Sequence, residues 1–344
     1  MKDLLARRHF REMDELEELI AEFGDQARVE VIDTAQYKER SFPLYVIEIG
    51  SKNLADPVVG FFAGVHGLEK IGTEVILAYM HTVLELLRWD HGFRERLKTT
   101  RLVFMPIVNP VGIVLRSRAN GNGVDLMRNS PVEAEEGGGP IYRGHRISPR
   151  LPWYRGPEGA PMEIEAQALC RVVEERLFPS KLAIAVDVHS GFGARDRFWF
   201  PFGHSRRPFD YLPEVFGLKE LFDKTYPHHF YIIEPVSRQY TIYGDLWDYL
   251  FLKHQQKFNE PRFFSWTLEM GSWMWLRKNP AQIFNRDGIF HPVKPHRRQR
   301  ILRRHNNLFD FLHRALQAPE AWLNQSPEVR VQKNQQALDL WYGK

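Results

Sequence analysis

The chain has 344 residues, 43% of them hydrophobic and 26% charged, with a formal net charge of +4; this is the composition of an ordinary globular protein and excludes a mini-protein. A single cysteine, Cys170, excludes an intrachain disulfide, a cysteine-pair redox centre and a multi-thiolate metal site, so a bound metal has to draw on His, Asp or Glu. The longest uncharged stretch, 102–115, is broken by Pro106, Pro110 and Gly112 and falls short of the roughly 18 apolar residues of a membrane helix; the charged N-terminus lacks the apolar core of a secretory signal, so the expectation is a cytoplasmic protein with no membrane partner.

Along the chain, Phe10, Met13, Leu16, Leu19 and Ile20 recur at three-and-four spacing and predict an amphipathic helix closed by Gly24. Runs 43–49 and 57–63 read as strands, the second apolar at nearly every position, as a central strand covered on both faces requires. A helix over 72–87 and an apolar strand over 101–108 follow. Between 131 and 161 the composition turns to GGGP, RGHR, SPRLP and RGPEGAP, which sustains no regular element and reads as a long surface excursion. Order returns with a helix over 163–178, a buried strand over 181–188, a helix-like segment over 243–257 and a strand over 261–269. The part 295–316 reads as helical and closes a single domain, 1–316, leaving 317–344 as a polar, loosely held tail. Alternating helices and buried strands make this an α/β chain. The one locally basic run, 297–304 (RRQRILRR), suits the solvated face of a helix, so no nucleic-acid partner is expected.

Chemistry concentrates where strands end. His66-Gly67-Leu68-Glu69 stands at the close of a core strand, where an imidazole nitrogen and a carboxylate oxygen three residues apart converge on one ion. A second His-x-x-Glu, His9 to Glu12, sits in a charged helix and reads as a solvated pair. A catalytic zinc needs a third protein ligand and an open position. His189, at the carboxyl end of a buried strand, is the candidate, with His145, His204, His228 and His229 as alternatives.

The ordered set resembles the zinc carboxypeptidases. Asn109-Pro110-Val111-Gly112 is similar to that family's Asn-Pro-Asp-Gly turn, and Gly123-Val124-Asp125-Leu126-Met127-Arg128-Asn129 to its substrate-anchoring segment. Tyr154-Arg155-Gly156-Pro157, with Glu163, Glu165 and Ala168, is similar to the stretch that opens the helix before the third zinc ligand. The resemblance covers about 40–280. It implies a central mixed, mostly parallel twisted sheet flanked by helices, and one zinc ion held by His66, Glu69 and His189. Asp125 would orient His66, Glu269 would be the general base, and Arg118, rather than Arg116, would stabilise the developing oxyanion. Arg128, with Asn129 beside it, would hold a substrate carboxylate, and Tyr243, with Tyr240 a near alternative, would close on it. Met127 stands where the family carries Asn, an apolar thioether in place of an amide. The implied activity is zinc-dependent hydrolysis of a peptide bond. The runner-up is deacylation of an N-acyl amino acid, as in the aspartoacylase and succinylglutamate desuccinylase relatives, and a third reading is a non-catalytic zinc-site binding protein.

Overall fold

The computed structural model describes residues 10–135, 139–258, 260, 262–284 and 288–343. Its centre follows from the longest apolar runs. β3 (Val58–Ala63), β4 (Arg101–Met105) and β5 (Ala183–Ser190) are buried at every position, and β8 (Phe263–Met270) at all but one. Strands without a polar face can only sit inside a sheet covered on both sides, and these four lie side by side in parallel. The hairpin of β1 (Ala27–Tyr37) and β2 (Arg40–Gly50) adds antiparallel to β4, while β6 (Arg197–Phe200), paired with β7 (Ile232–Pro235), adds antiparallel to β8. The eight strands run in the order β1-β2-β4-β3-β5-β8-β6-β7, the mixed, mostly parallel sheet anticipated above.

The helices are α1 (Arg11–Phe23), α2 (Lys70–Trp89), α3 (His91–Leu97), α4 (Pro110–Leu115), α5 (Ile164–Val172), α6 (Leu212–Thr225), α7 (Leu246–Phe258), α8 (Trp273–Lys278), α9 (Pro295–Arg304), α10 (Asn306–Ala315) and α11 (Pro327–Tyr342). α2 packs on β3 and β5, with α1 and α9 against it, and α10 on β3, whereas α5 packs on β1 and β2 and α7 on β8. The core is one continuous apolar cluster, with Trp266 of β8 stacked on Phe198 of β6 at 4.4 Å. Each such fully buried large side chain contributes about 1.5–3 kcal/mol.

The expectation of a loose tail at 317–344 is corrected. Ser326 caps α11 through the Val329 N–H, with Pro327 opening the helix. Lys333, Ala337 and Trp341, four residues apart, form its buried face against α6, and the Trp341 indole donates to the Ile233 carbonyl at 2.8 Å. A polar average concealed one buried stripe.

A buried histidine gives the fold a testable acid limit. His313 of α10 shares a 2.8 Å hydrogen bond with Thr100, and its Nδ1 is unpartnered. Burial, helped by Arg96 and Arg314, pushes its pKa down to about 3. The unfolded chain takes up that proton near pH 6.5 and the native state does not. Stability is therefore lost as the pH falls from about 6.5 towards 3, by about 5 kcal/mol from this one group. His313→Gln, which does not titrate, should flatten that slope in urea unfolding measured across the interval; an unchanged slope would reject the assignment.

Candidate active site

Parallel strands bring their carboxyl ends to one edge of a sheet, and that edge is where open α/β sheets build their sites. Here β3 delivers the turn bearing His66, β5 carries His189, and β8 carries Glu269, which the ladder pairs directly with His189. The His66 turn is clamped from behind. Asn109 caps α4 through the Gly112 N–H at 2.8 Å and donates its side-chain amide to the Val65 carbonyl at 3.0 Å. Gly67 lies so close to Gly112 that a Cβ would come within 1.9 Å of its backbone, so only glycine fits.

The donor atoms of His66, Glu69 and His189 lie within 4.8 Å of one another, and this is the one such cluster of His, Cys, Asp and Glu among the described residues. His66 Nδ1 is 3.0 Å from Glu69 Oε1, and His189 Nδ1 is 3.1 Å from Glu69 Oε2. The opposite nitrogens are anchored on carboxylates: His66 Nε2 on Asp125 at 3.0 Å, His189 Nε2 on Asp187 at 2.7 Å. A carboxylate only accepts, so each Nε2 carries a proton, which leaves each Nδ1 as the nitrogen turned towards the oxygens of Glu69 and the one a cation would take. A buried carboxylate this close to two imidazoles needs positive charge between them, as protons on Nδ1 or as a metal ion. One divalent cation supplies it, and two imidazole nitrogens with a carboxylate oxygen are the donor set of a catalytic zinc, which leaves a fourth position open.

The electrostatics agree. Burial favours the neutral form of Glu69, but His66 and His189 outweigh it and hold the carboxyl far below its usual range. Burial also opposes ionisation of Asp125, and the charges of Arg118, His66 and Arg128 override it. Arg118 donates Nε to Asp125 at 2.8 Å and Nη1 to Glu69 at 3.2 Å. Glu269 accepts the Phe192 N–H at 2.9 Å, and burial plus the Glu69 charge push its pKa up to about 8. Positive charge held by the triad offsets that repulsion and returns Glu269 towards the carboxylate form.

His66, Glu69, His189, Arg118 and Glu269 line one cavity of about 720 Å³, together with Arg128, Tyr240, Asp245, Met127 and a wall of Phe192, Trp199 and Ile242. Arg128 is 4% exposed and its Nε is without a hydrogen-bond partner.

Two expectations change. Tyr243 does not line the cavity: Arg143 and Arg155 sit over its ring at 5.4 and 5.6 Å. Tyr240 lines it instead, hydrogen-bonded by Arg128. Asn129 is also outside the cavity, since its amide donates to the Arg155 carbonyl at 2.9 Å and accepts the Glu163 N–H at 2.6 Å, fastening the 131–161 excursion. Arg118, not Arg116, faces the cavity. The alternative histidines lie elsewhere: His145 meets the Pro152 carbonyl, His204 meets Asp248 and His229 meets Asp223. His9 of the second His-x-x-Glu lies outside the described residues.

Sequence reasoning missed Asp187, whose Oδ2 also accepts the Trp247 indole N–H at 2.8 Å. The signal was present, since Asp187 and His189 stand two apart on one face of an otherwise apolar strand. Asp187→Asn should weaken zinc binding about 10–100-fold in chelator competition, with the fold intact; an unchanged affinity would remove Asp187 from the site.

The sequence profile of the zinc carboxypeptidases (peptidase family M14) matches residues 13–271. The chain belongs to that family. His66, Glu69 and His189 are its zinc-site triad, for one ion. Over 122 residues the chain is 30% identical to carboxypeptidase SOL1 of Arabidopsis thaliana, a stretch that is 34% of this chain and spans a quarter (25%) of that curated relative. The structure is similar to that of thrombin-activatable fibrinolysis inhibitor, at 18% identity and a TM-score of 0.65, over 92% of this chain and 75% of the other. It is also similar to carboxypeptidase A of Helicoverpa armigera, at 18% identity and a TM-score of 0.57, over 85% and 71%. At these identities the likeness shows the fold.

Proposed function

We propose that the protein is a metallopeptidase that hydrolyses the amide bond next to a free carboxylate at the end of a peptide. The observation that carries this reading is Arg128: a buried guanidinium with an unpartnered Nε, in the same cavity as the triad and Glu269. A buried cation with no carboxylate in direct contact among the described residues is costly, and a planar fork that binds carboxylate bidentately is matched by the terminus of a substrate.

When bound, zinc brings the pKa of a water to about 7 and polarises the scissile carbonyl. His66, Glu69 and His189 hold it, and Asp125 and Asp187 fix the two rings. Arg128 positions the terminal carboxylate, with the Tyr240 hydroxyl beside it. Glu269 takes the proton of the attacking water and passes it to the leaving amine. Arg118 supplies a fixed positive charge where negative charge develops on the carbonyl oxygen.

The test is a panel of free-carboxylate peptides, their C-terminal amides and N-acyl amino acids, run with metal-replete, chelated and zinc-restored protein. Cleavage of the free peptides, lost on chelation and regained with zinc, is expected. Turnover of N-acyl amino acids alone would give the site to a deacylase, and zinc binding with no turnover at all would give it to a binding protein.

A further inference from the structure

Two segments flank the cavity, 141–153 and a second made of the described residues 273–284 and 288–294. The first contributes Tyr142, Pro152 and Trp153 to the wall, and the second contributes Phe290. Trp273 also belongs to the second, its ring 5.7 Å from that of Phe192 and its indole donating to the Gly191 carbonyl at 3.0 Å. The two are about a tenth of the chain, yet they hold eight of the seventeen large hydrophobic side chains exposed among the described residues. Ile147 is 69% exposed and Phe284 is 91% exposed.

Their described residues hold six Lys and Arg and no Asp or Glu, an excess larger than the +4 of the whole chain. Arg146, Arg150, Arg277, Lys278 and Lys294 are exposed, and among the described residues no carboxylate pairs with them. The second segment is fastened to the fold. Arg297 donates to the carbonyls of Trp275 at 3.3 Å and Lys278 at 3.5 Å, and Gln282 donates to that of His291 at 2.9 Å.

We propose that this rim docks the protein on an anionic lipid bilayer, with the cavity mouth facing the membrane. Apolar tips such as Phe284 and Ile147 enter the boundary between headgroups and acyl chains, Trp273 and Tyr142 sit at headgroup level, and the unpaired basic side chains meet lipid phosphates. An acidic polypeptide would answer the charge but leave the apolar tips in water; a bilayer uses both. The surface lies on the membrane and does not span it, since no helix among the described residues is long and apolar enough to cross. Docking goes beyond the proposed hydrolysis and needs neither metal nor turnover.

Co-sedimentation of the full chain with vesicles of phosphatidylcholine, with and without phosphatidylglycerol, tests it. Binding should require the anionic lipid and weaken with salt. Replacing Phe284 and Ile147 together by Ser should lower the partition coefficient about tenfold or more. Arg277→Gln and Lys278→Gln should lower it about fivefold each. Cleavage of a short soluble peptide should be unchanged in all of these variants. Equal binding to both vesicles, no binding to either at low salt, or wild-type binding by the variants would overturn the proposal. So would tighter Phe284-dependent binding to polyglutamate than to anionic vesicles, which would give the rim to an acidic polypeptide.

Discussion

Glu269→Gln is expected to lower kcat by between about 10² and 10⁴-fold while zinc content stays at one ion per chain. Glutamine keeps the size of the side chain and an oxygen to accept the Phe192 N–H, and Glu269 stays in register with His189. Only the ability to take a proton goes. Metal analysis and turnover on the same preparation separate the two effects. Full activity would show that another group moves the proton, whereas zinc lost along with activity would make Glu269 part of the metal site.

The second large effect is expected at Arg128. Arg128→Met should cut kcat/KM for free-carboxylate peptides about 30-fold to several thousandfold, corresponding to about 2–5 kcal/mol for a buried charged contact. Cleavage of the corresponding C-terminal amides should hardly change. Thermal stability should hold or rise, because the variant removes a buried charge whose Nε has no partner in the free protein. Equal losses on acids and amides would mean that Arg128 supports the fold of the cavity and does not read the terminus.

The parts legible in the sequence were those where a polar group interrupts an apolar run. His66 and His189 each stand where a buried apolar strand ends, and Glu69 follows His66 at ligand spacing, so that pattern marked the metal site, whereas Glu269 was marked by the resemblance to the zinc carboxypeptidases. β1 was not legible: it is an edge strand, with Val29 and Val31 turned to solvent among Arg28, Glu30 and Asp33, so its alternation does not mark a core face. β6 and β7 have four residues each, too few to show a period. The choice between Tyr240 and Tyr243 is made by Arg143 and Arg155, roughly a hundred residues away along the chain, which capture Tyr243. Asn129 is likewise spent on a segment whose path no local pattern announces.

The pairing of His189 with Glu269 across β5 and β8 has a wider consequence. Neighbouring strands stand about 4.8 Å apart wherever they are hydrogen-bonded, so the separation of His189 and Glu269 is inherited from the backbone and no loop sets it. Remodelling the rim can therefore retarget such an enzyme without disturbing its chemistry. A slip of one residue between the two strands would turn Glu269 to the opposite face and, on the proposed mechanism, end turnover in a single step.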